Sequence, residues 1–130
     1  VSNVDDRMEG MDWPPNADTM IGLKRLNNIE YCVRSILKDN IPGDLIETGV
    51  WRGGACIFMR ALLKMNGVTD RTVWCADSFE GLPMPDEEKY AEDKGDEHYK
   101  MQELAINLDT VKRNFAKLME ICMSRPWMDL

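Results

Sequence analysis

The sequence predicts an α/β fold built on a doubly wound parallel sheet, and three observations carry that prediction. Two short apolar runs, Asp44-Leu45-Ile46-Glu47 and Thr72-Val73-Trp74-Cys75-Ala76-Asp77, have strand character and end in acids. A stretch with helical periodicity lies between them, and a crossover of more than about ten residues joins parallel strands, not a hairpin. Gly49, Gly53 and Gly54 stand where the first run gives way to that helix, the place where open α/β sheets bind nucleotide-like ligands.

Taken in order, Asp12-Trp13-Pro14-Pro15-Asn16-Ala17-Asp18 reads as an extended, proline-stiffened lead-in that ends on an N-cap at Asp18 or Thr19. Leu26, Ile29, Val33, Ile36 and Leu37 then fall on one helical face before Asp39-Asn40-Ile41-Pro42-Gly43 stops the helix. After the first strand and its glycine turn, Phe58, Ala61, Leu62 and Met65 repeat the pattern, with Asn66-Gly67 as the C-terminal cap. Both strands read as fully buried, as parallel strands usually are. Beyond Asp77, Ser78 to Pro85 is turn-rich and Asp86 to Glu97 is charged and poor in large aliphatic residues. That stretch is expected to be a mobile loop over the strand tips. Helical spacing resumes at Leu108, Val111, Phe115, Leu118 and Cys122, whereas Ser124 to Leu130 shows no pattern.

Composition narrows the function classes. A 130-residue chain, 44% hydrophobic and 30% charged, is a single domain at most. A net charge of -7 with no clustered Lys and Arg argues against nucleic acid or an anionic membrane as partner. No apolar run approaches about 18 residues, and Val1 to Asp12 is acidic where a signal peptide is basic and then apolar, so the cytoplasm is the expected compartment. Cys32, Cys56, Cys75 and Cys122 are widely spaced and the chain has one histidine, which fits neither a zinc site nor a disulfide framework. His98 sits in the charged loop and is read as a surface residue. Met59, Met65 and Met119 are read as core filler on helical faces.

The glycine turn discriminates among ligands through phosphate. A P-loop needs a Gly-Lys-Ser/Thr ending, and a dinucleotide fold needs G-x-G-x-x-G. Here Trp51 occupies the place of the second dinucleotide glycine, which disfavours a nicotinamide oxidoreductase. S-adenosylmethionine, which carries no phosphate, fits better: Glu47 suits its cationic groups and Asp77 suits its ribose hydroxyls. The plainer alternative is that both acids only cap strand ends. Trp51 likewise has two readings, packing beneath the turn or lining a sulfonium pocket through a cation–aromatic contact.

Longer runs go beyond such patterns. Asp12-Trp13-Pro14-Pro15, Thr19-Met20-Ile21-Gly22-Leu23-Lys24-Arg25-Leu26, Pro42 through Gly54, Thr69 through Trp74, and Ala76-Asp77-Ser78-Phe79-Glu80-Gly81-Leu82-Pro83 strongly resemble the macrocin O-methyltransferase family over Asp12 to Lys117. The resemblance implies a class I, Rossmann-like methyltransferase fold and transfer of a methyl group from S-adenosylmethionine to a sugar hydroxyl of an antibiotic. It further implies that Thr19, Met20 and Ile21 lie against the cofactor. Glu47, Thr48, Gly49, Trp51, Arg52, Gly53 and Gly54 would wrap its methionine part. Asp77 would hold the ribose, with Ser78 and Phe79 flanking the adenosine. The stretch Gly81 to Asp96 resembles a lid over the acceptor, its acidity read either as selection for a cationic amino-sugar or as a solvated, charged surface.

The resemblance also implies magnesium, held by acids on later strands, one of which would deprotonate the acceptor. No catalytic or metal-binding residue is assigned within this chain, because residues 118–130 diverge from the family and Asp129 matches no motif. A sheet of this class has about seven strands with helices on both faces, so residues 1–130 are expected to form one incomplete cofactor-binding domain lacking the C-terminal strands. Expected partners are a small-molecule acceptor and, for the exposed sheet edge, a second copy or a complementing subunit. The alternative function is a non-catalytic module that binds cofactor or assembles with a complete enzyme.

Overall fold

The computed structural model describes residues 3–12 and 16–124, and of 121–124 the backbone alone. Its elements run α1 (Val4–Glu9), α2 (Gly22–Lys38), β1 (Leu45–Thr48), α3 (Gly54–Met65), β2 (Val73–Ala76) and α4 (Leu108–Ser124), with single 3-10 turns at Ala91–Asp93, His98–Lys100 and Gln102–Leu104. The strands are parallel, as the crossover requires, in the register Leu45 to Val73 through Thr48 to Ala76. The ladder is extended at both ends by Leu45 N–H to Thr72 O and Gly49 N–H to Ala76 O.

α3 organises the molecule. It packs on both strands and is flanked by α2 and α4, and it buries Ala55, Cys56, Ile57, Met59, Leu62 and Leu63. Val33 of α2, Val50 after β1 and Val111 of α4 complete the core, with Ile29, Leu37, Leu45, Val73, Phe79, Ile106 and Phe115 packed around it. Removing this apolar surface from water is the main stabilising term. The free thiols of Cys56 and Cys75 are buried and half-buried, whereas that of Cys32 is exposed.

Several expectations are corrected by this arrangement. The strands are not fully buried: Leu45, Glu47, Val73 and Cys75 face α3, but Ile46 and Trp74 remain 63% and 56% exposed. Among the described residues no element covers that second face, so the burial alternates. The N-cap of α2 is Ile21, not Asp18 or Thr19. Gly22 has φ 72°, a left-handed conformation that no helix can continue backwards through, and a Cβ on it would lie 2.3 Å from the backbone nitrogen of Gly10. The start of α2 is therefore fixed by close approach to the end of α1, an element the sequence reading missed. Its signal was present in the Asn3 cap, whose side chain accepts from Asp5 N–H, and in left-handed Gly10 at its end.

Met65 is 63% exposed and not core filler, whereas Met59 is buried. The charged stretch is not plain loop. It forms 3-10 turns and bonds mostly to itself, through Asp86 N–H to Asp93, Gly95 N–H to Glu87 and Lys89 N–H to Asp86. His98 is exposed and paired with Asp96. Trp13, Pro14 and Pro15 of the lead-in and the tail from residue 125 lie outside the described residues, as does the side chain of Cys122.

Candidate functional site

The strand tips build a site from the backbone outward. β1 ends at Thr48, and Gly49 turns the chain with φ 88°; a Cβ there would meet no atom within 4 Å, so the turn presents bare backbone to open space. The Asp77 carboxylate at the tip of β2 clasps that turn: Val50 N–H donates to its Oδ2 at 2.6 Å and Phe79 N–H to its Oδ1 at 2.8 Å. A cleft of about 370 Å³ opens above, lined by Met20, Gly49, Trp51, Asp77, Ser78, Gly81, Leu82, Pro83 and Leu104. It lies at the carboxyl ends of parallel strands, where ligands bind in open α/β sheets. Larger hollows elsewhere lie away from these tips, at the C-terminal ends of α2 and α3 and between the N-terminal segment and α2.

The anticipated residues divide into those facing the cleft and those supporting it. Met20, Gly49, Trp51, Asp77 and Ser78 line it. The Trp51 ring lines the cleft and lies 4.4 Å from the Arg52 guanidinium, the cation that occupies one of its faces, while its indole N–H donates to Glu103 O at 2.7 Å. Arg52 reaches back to Ala17 O at 2.9 Å, and its own carbonyl accepts from Asn114 of α4. Thr19 accepts from Ile21 N–H at the start of α2. Thr48 is exposed on the uncovered side of the sheet. Phe79 packs against the core.

Gly53 and Gly54 serve close packing. A Cβ on Gly53 would lie 3.0 Å from Val111, and one on Gly54 would lie 2.3 Å from the backbone oxygen of Asp18. That oxygen accepts Gly54 N–H at 2.9 Å, which docks the segment before α2 on the start of α3. Leu104 is the cleft residue that sequence reasoning missed, because the charged, turn-rich stretch around it carries no periodicity.

Two features mark the tips as under constraint. Trp51 and Phe79 both hold left-handed backbone, φ 48° and 58°, an arrangement costing roughly 1–3 kcal/mol each that persists where surroundings impose it. The acids are also tuned in opposite directions. Burial pushes the Glu47 carboxyl above its ordinary value, only partly offset by the Cys56 thiol, which donates to Oε2 at 2.9 Å. Burial also acts to raise Asp77, but the backbone N–H groups of Phe79, Val50, Trp51 and Ser78 outweigh it and hold that carboxyl low. At neutral pH Asp77 is therefore a fixed anion. Each of its oxygens keeps a lone pair beyond the clasp and can accept from a ligand hydroxyl. Among the described residues there is no cluster of three or more His, Cys, Asp or Glu that could hold a metal ion. No described helix is long and apolar enough to cross a membrane.

Comparison with known proteins supplies the lineage. The macrocin-O-methyltransferase (TylF) family profile matches residues 1–120. Demethyldecarbamoylnovobiocin O-methyltransferase of Streptomyces niveus is 56% identical over 110 residues, covering 84% of this chain and 42% of the relative. An 8-demethyl-8-(2,3-dimethoxy-alpha-L-rhamnosyl)-tetracenomycin-C 4'-O-methyltransferase of Streptomyces olivaceus is 51% identical over 116 residues, 88% of this chain and 44% of its own length. The solved structure of the O-methyltransferase NovP superposes with a TM-score of 0.84 at 52% identity, over 89% of this chain and 48% of that one. The chain thus spans less than half the length of these relatives, and within that span it belongs to the macrocin-O-methyltransferase family.

Proposed function

We propose that the chain forms the S-adenosylmethionine-binding part of an O-methyltransferase that methylates a sugar hydroxyl of a natural product. The observation that carries this reading is the cleft above Gly49 and Asp77: bare backbone, an anion held in place and apolar walls at the tips of parallel strands. Bound there, S-adenosylmethionine would supply the methyl group for in-line displacement by the acceptor oxygen. Gly49 leaves room for close approach, and Asp77 holds the turn and accepts from ribose hydroxyls. Glu47, which faces α3 behind Asp77 and is not part of the cleft lining, adds negative charge from behind the wall. Met20, Leu82, Pro83 and Leu104 give the cleft its apolar lining and exclude water around the transfer.

Magnesium, the acceptor base and the remaining strands of a class I, doubly wound sheet would be contributed by segments other than the described residues. The exposed Ile46 and Trp74 face would be covered by those strands' helices, by a second copy or by a complementing subunit. The expected compartment is the cytoplasm. The test is methyl transfer from isotopically labelled S-adenosylmethionine to a desmethyl glycoside, read as a mass gain of one methyl group on the sugar. Absence of transfer in a protein that binds S-adenosylhomocysteine would favour a second reading, a non-catalytic cofactor-binding module. One observation supports that reading: among the described residues Asp77 is the only ionisable side chain lining the cleft, and the clasp holds its carboxyl below the ordinary value, which makes it a poor base for an acceptor hydroxyl.

A further inference from the structure

We propose that Cys56 is a positioning residue for the Glu47 carboxylate, its buried thiol holding that group charged and oriented at the tip of β1, a role that rests on the cleft being the S-adenosylmethionine site. Glu47 stands on the side of β1 that faces α3, half-buried, with Cys56 in the first turn of that helix. Cys56 is fully buried and its Sγ lies 2.9 Å from Oε2. The other titratable groups acting on the pair are Cys75 of β2, in contact with Cys56, and the like-charged Asp77 at the tip of β2.

The chemistry suits a donor that must never ionise. Burial first, and then the adjoining Glu47 and Cys75, drive the Cys56 thiol far above its ordinary range, so the proton stays on sulfur and is available to the carboxylate. A thiol also packs as a small apolar group among Val33, Met59, Leu62 and Leu63. Without it, Oε2 would lose a donor on the half-buried side of the strand, and an unpaired acceptor there favours the protonated acid. Glu47, which lies beside Asp77 and behind the cleft lining, would then lose the negative charge that favours a ligand's ammonium group, the one cationic group that S-adenosylhomocysteine shares with S-adenosylmethionine. Because its carboxyl is already raised, the anion is lost as pH falls through that raised value, and removing the donor moves the loss to higher pH.

Calorimetric binding of S-adenosylhomocysteine to the wild-type chain and to Cys56→Ala and Cys56→Ser, from about pH 5 to pH 8, tests this. For Cys56→Ala the midpoint of acid loss of affinity should move up by roughly half a unit to one unit, the share of one weak donor where several lower a carboxylate by about two. Affinity should then be about 3- to 10-fold below wild type on the acid side and converge with it at the alkaline end. Cys56→Ser, which keeps and strengthens the donor, should restore the wild-type profile or move it lower. A loss equal at every pH, or parallel profiles for all three proteins, would overturn the role and leave Cys56 as packing alone. Failure of the wild type to bind would instead overturn the reading of the cleft and this role with it. Should Cys56→Ala not fold, a Cys56→Ser midpoint above that of wild type would contradict the proposal by itself.

Discussion

The two ends of the sheet use the same device for different purposes. At the amino ends Asp44 accepts Thr72 N–H at 2.9 Å and the Trp74 indole N–H at 2.8 Å; at the carboxyl ends Asp77 accepts Val50 N–H and Phe79 N–H. Both are aspartate clasps between neighbouring strands, and in both the hydrogen bonds hold the carboxyl below its ordinary value, Asp44 chiefly through the Thr72 backbone. An acid at a strand end is therefore no sign of a ligand site in itself. Open glycine backbone and left-handed residues do not separate the ends either, for Gly43 beside Asp44 has φ 116° with no atom within 4 Å of a Cβ, and Asn40 has φ 53°. What sets the carboxyl ends apart is the wall of the cleft, Met20, Trp51, Leu82, Pro83 and Leu104 around Asp77, against Asn40, Asp44, Asp70 and Arg71 around the hollow at the amino ends. The amino ends carry instead the Arg71 side chain bonded to Ile41 O and the Arg60 side chain bonded to Arg71 O, polar ties that hold the chain together.

The contrast can be broken most sharply through the glycines. Gly54→Ala drives a methyl group to 2.3 Å from the Asp18 backbone oxygen, and about 3 kcal/mol or more of stability should be lost in a urea titration. Gly49→Ala meets no atom and should lose only the strain of a left-handed alanine, roughly 1–2 kcal/mol, while its ligand affinity falls.

Next in size is the response to acid. A carboxyl whose folded pKa is depressed stabilises the fold above its unfolded value and loses that contribution as pH falls through the folded one. The melting temperature should therefore decline below about pH 3.8, the ordinary value of both aspartates, and Asp77→Asn should flatten the decline more than Asp44→Asn because its backbone donors are part-buried. Equal flattening would mean that the two clasps do not differ in burial. Trp51→Phe removes the donor to Glu103 O and should cost about 1 kcal/mol, with Glu103 and Leu104 exchanging amide hydrogen faster. Smallest of all, Ile46→Thr on the uncovered face should change stability by no more than about 0.5 kcal/mol.

The legible part of the molecule was local. Strand, turn, crossover and strand followed from Leu45-Ile46, Gly49, the Phe58 to Met65 spacing and Val73 to Ala76, and the strand pairing followed from the crossover length. Within the site, Met20, Gly49, Trp51, Asp77 and Ser78 were placed at the cleft that forms. What escaped depends on contacts between distant segments. Sequence shows that Gly53 and Gly54 are free of side chains, but not that Val111 and Asp18 fill the space a Cβ would take. It shows an acid at position 77, but not that two backbone N–H groups consume its inner lone pairs. Fully buried strands were expected from their apolar content and from the usual burial of parallel sheets on both faces, neither of which says that Ile46 and Trp74 face outward from the only helix layer among the described residues.

The most direct test of the carboxyl tips as the binding end is calorimetric titration of S-adenosylhomocysteine into the wild-type chain, Gly49→Ala and Asp44→Asn. The account predicts that the wild type and Asp44→Asn bind alike and that Gly49→Ala binds at least about tenfold more weakly, a difference of about 1.4 kcal/mol. Binding that survives Gly49→Ala unchanged, or that Asp44→Asn weakens as much, would contradict it.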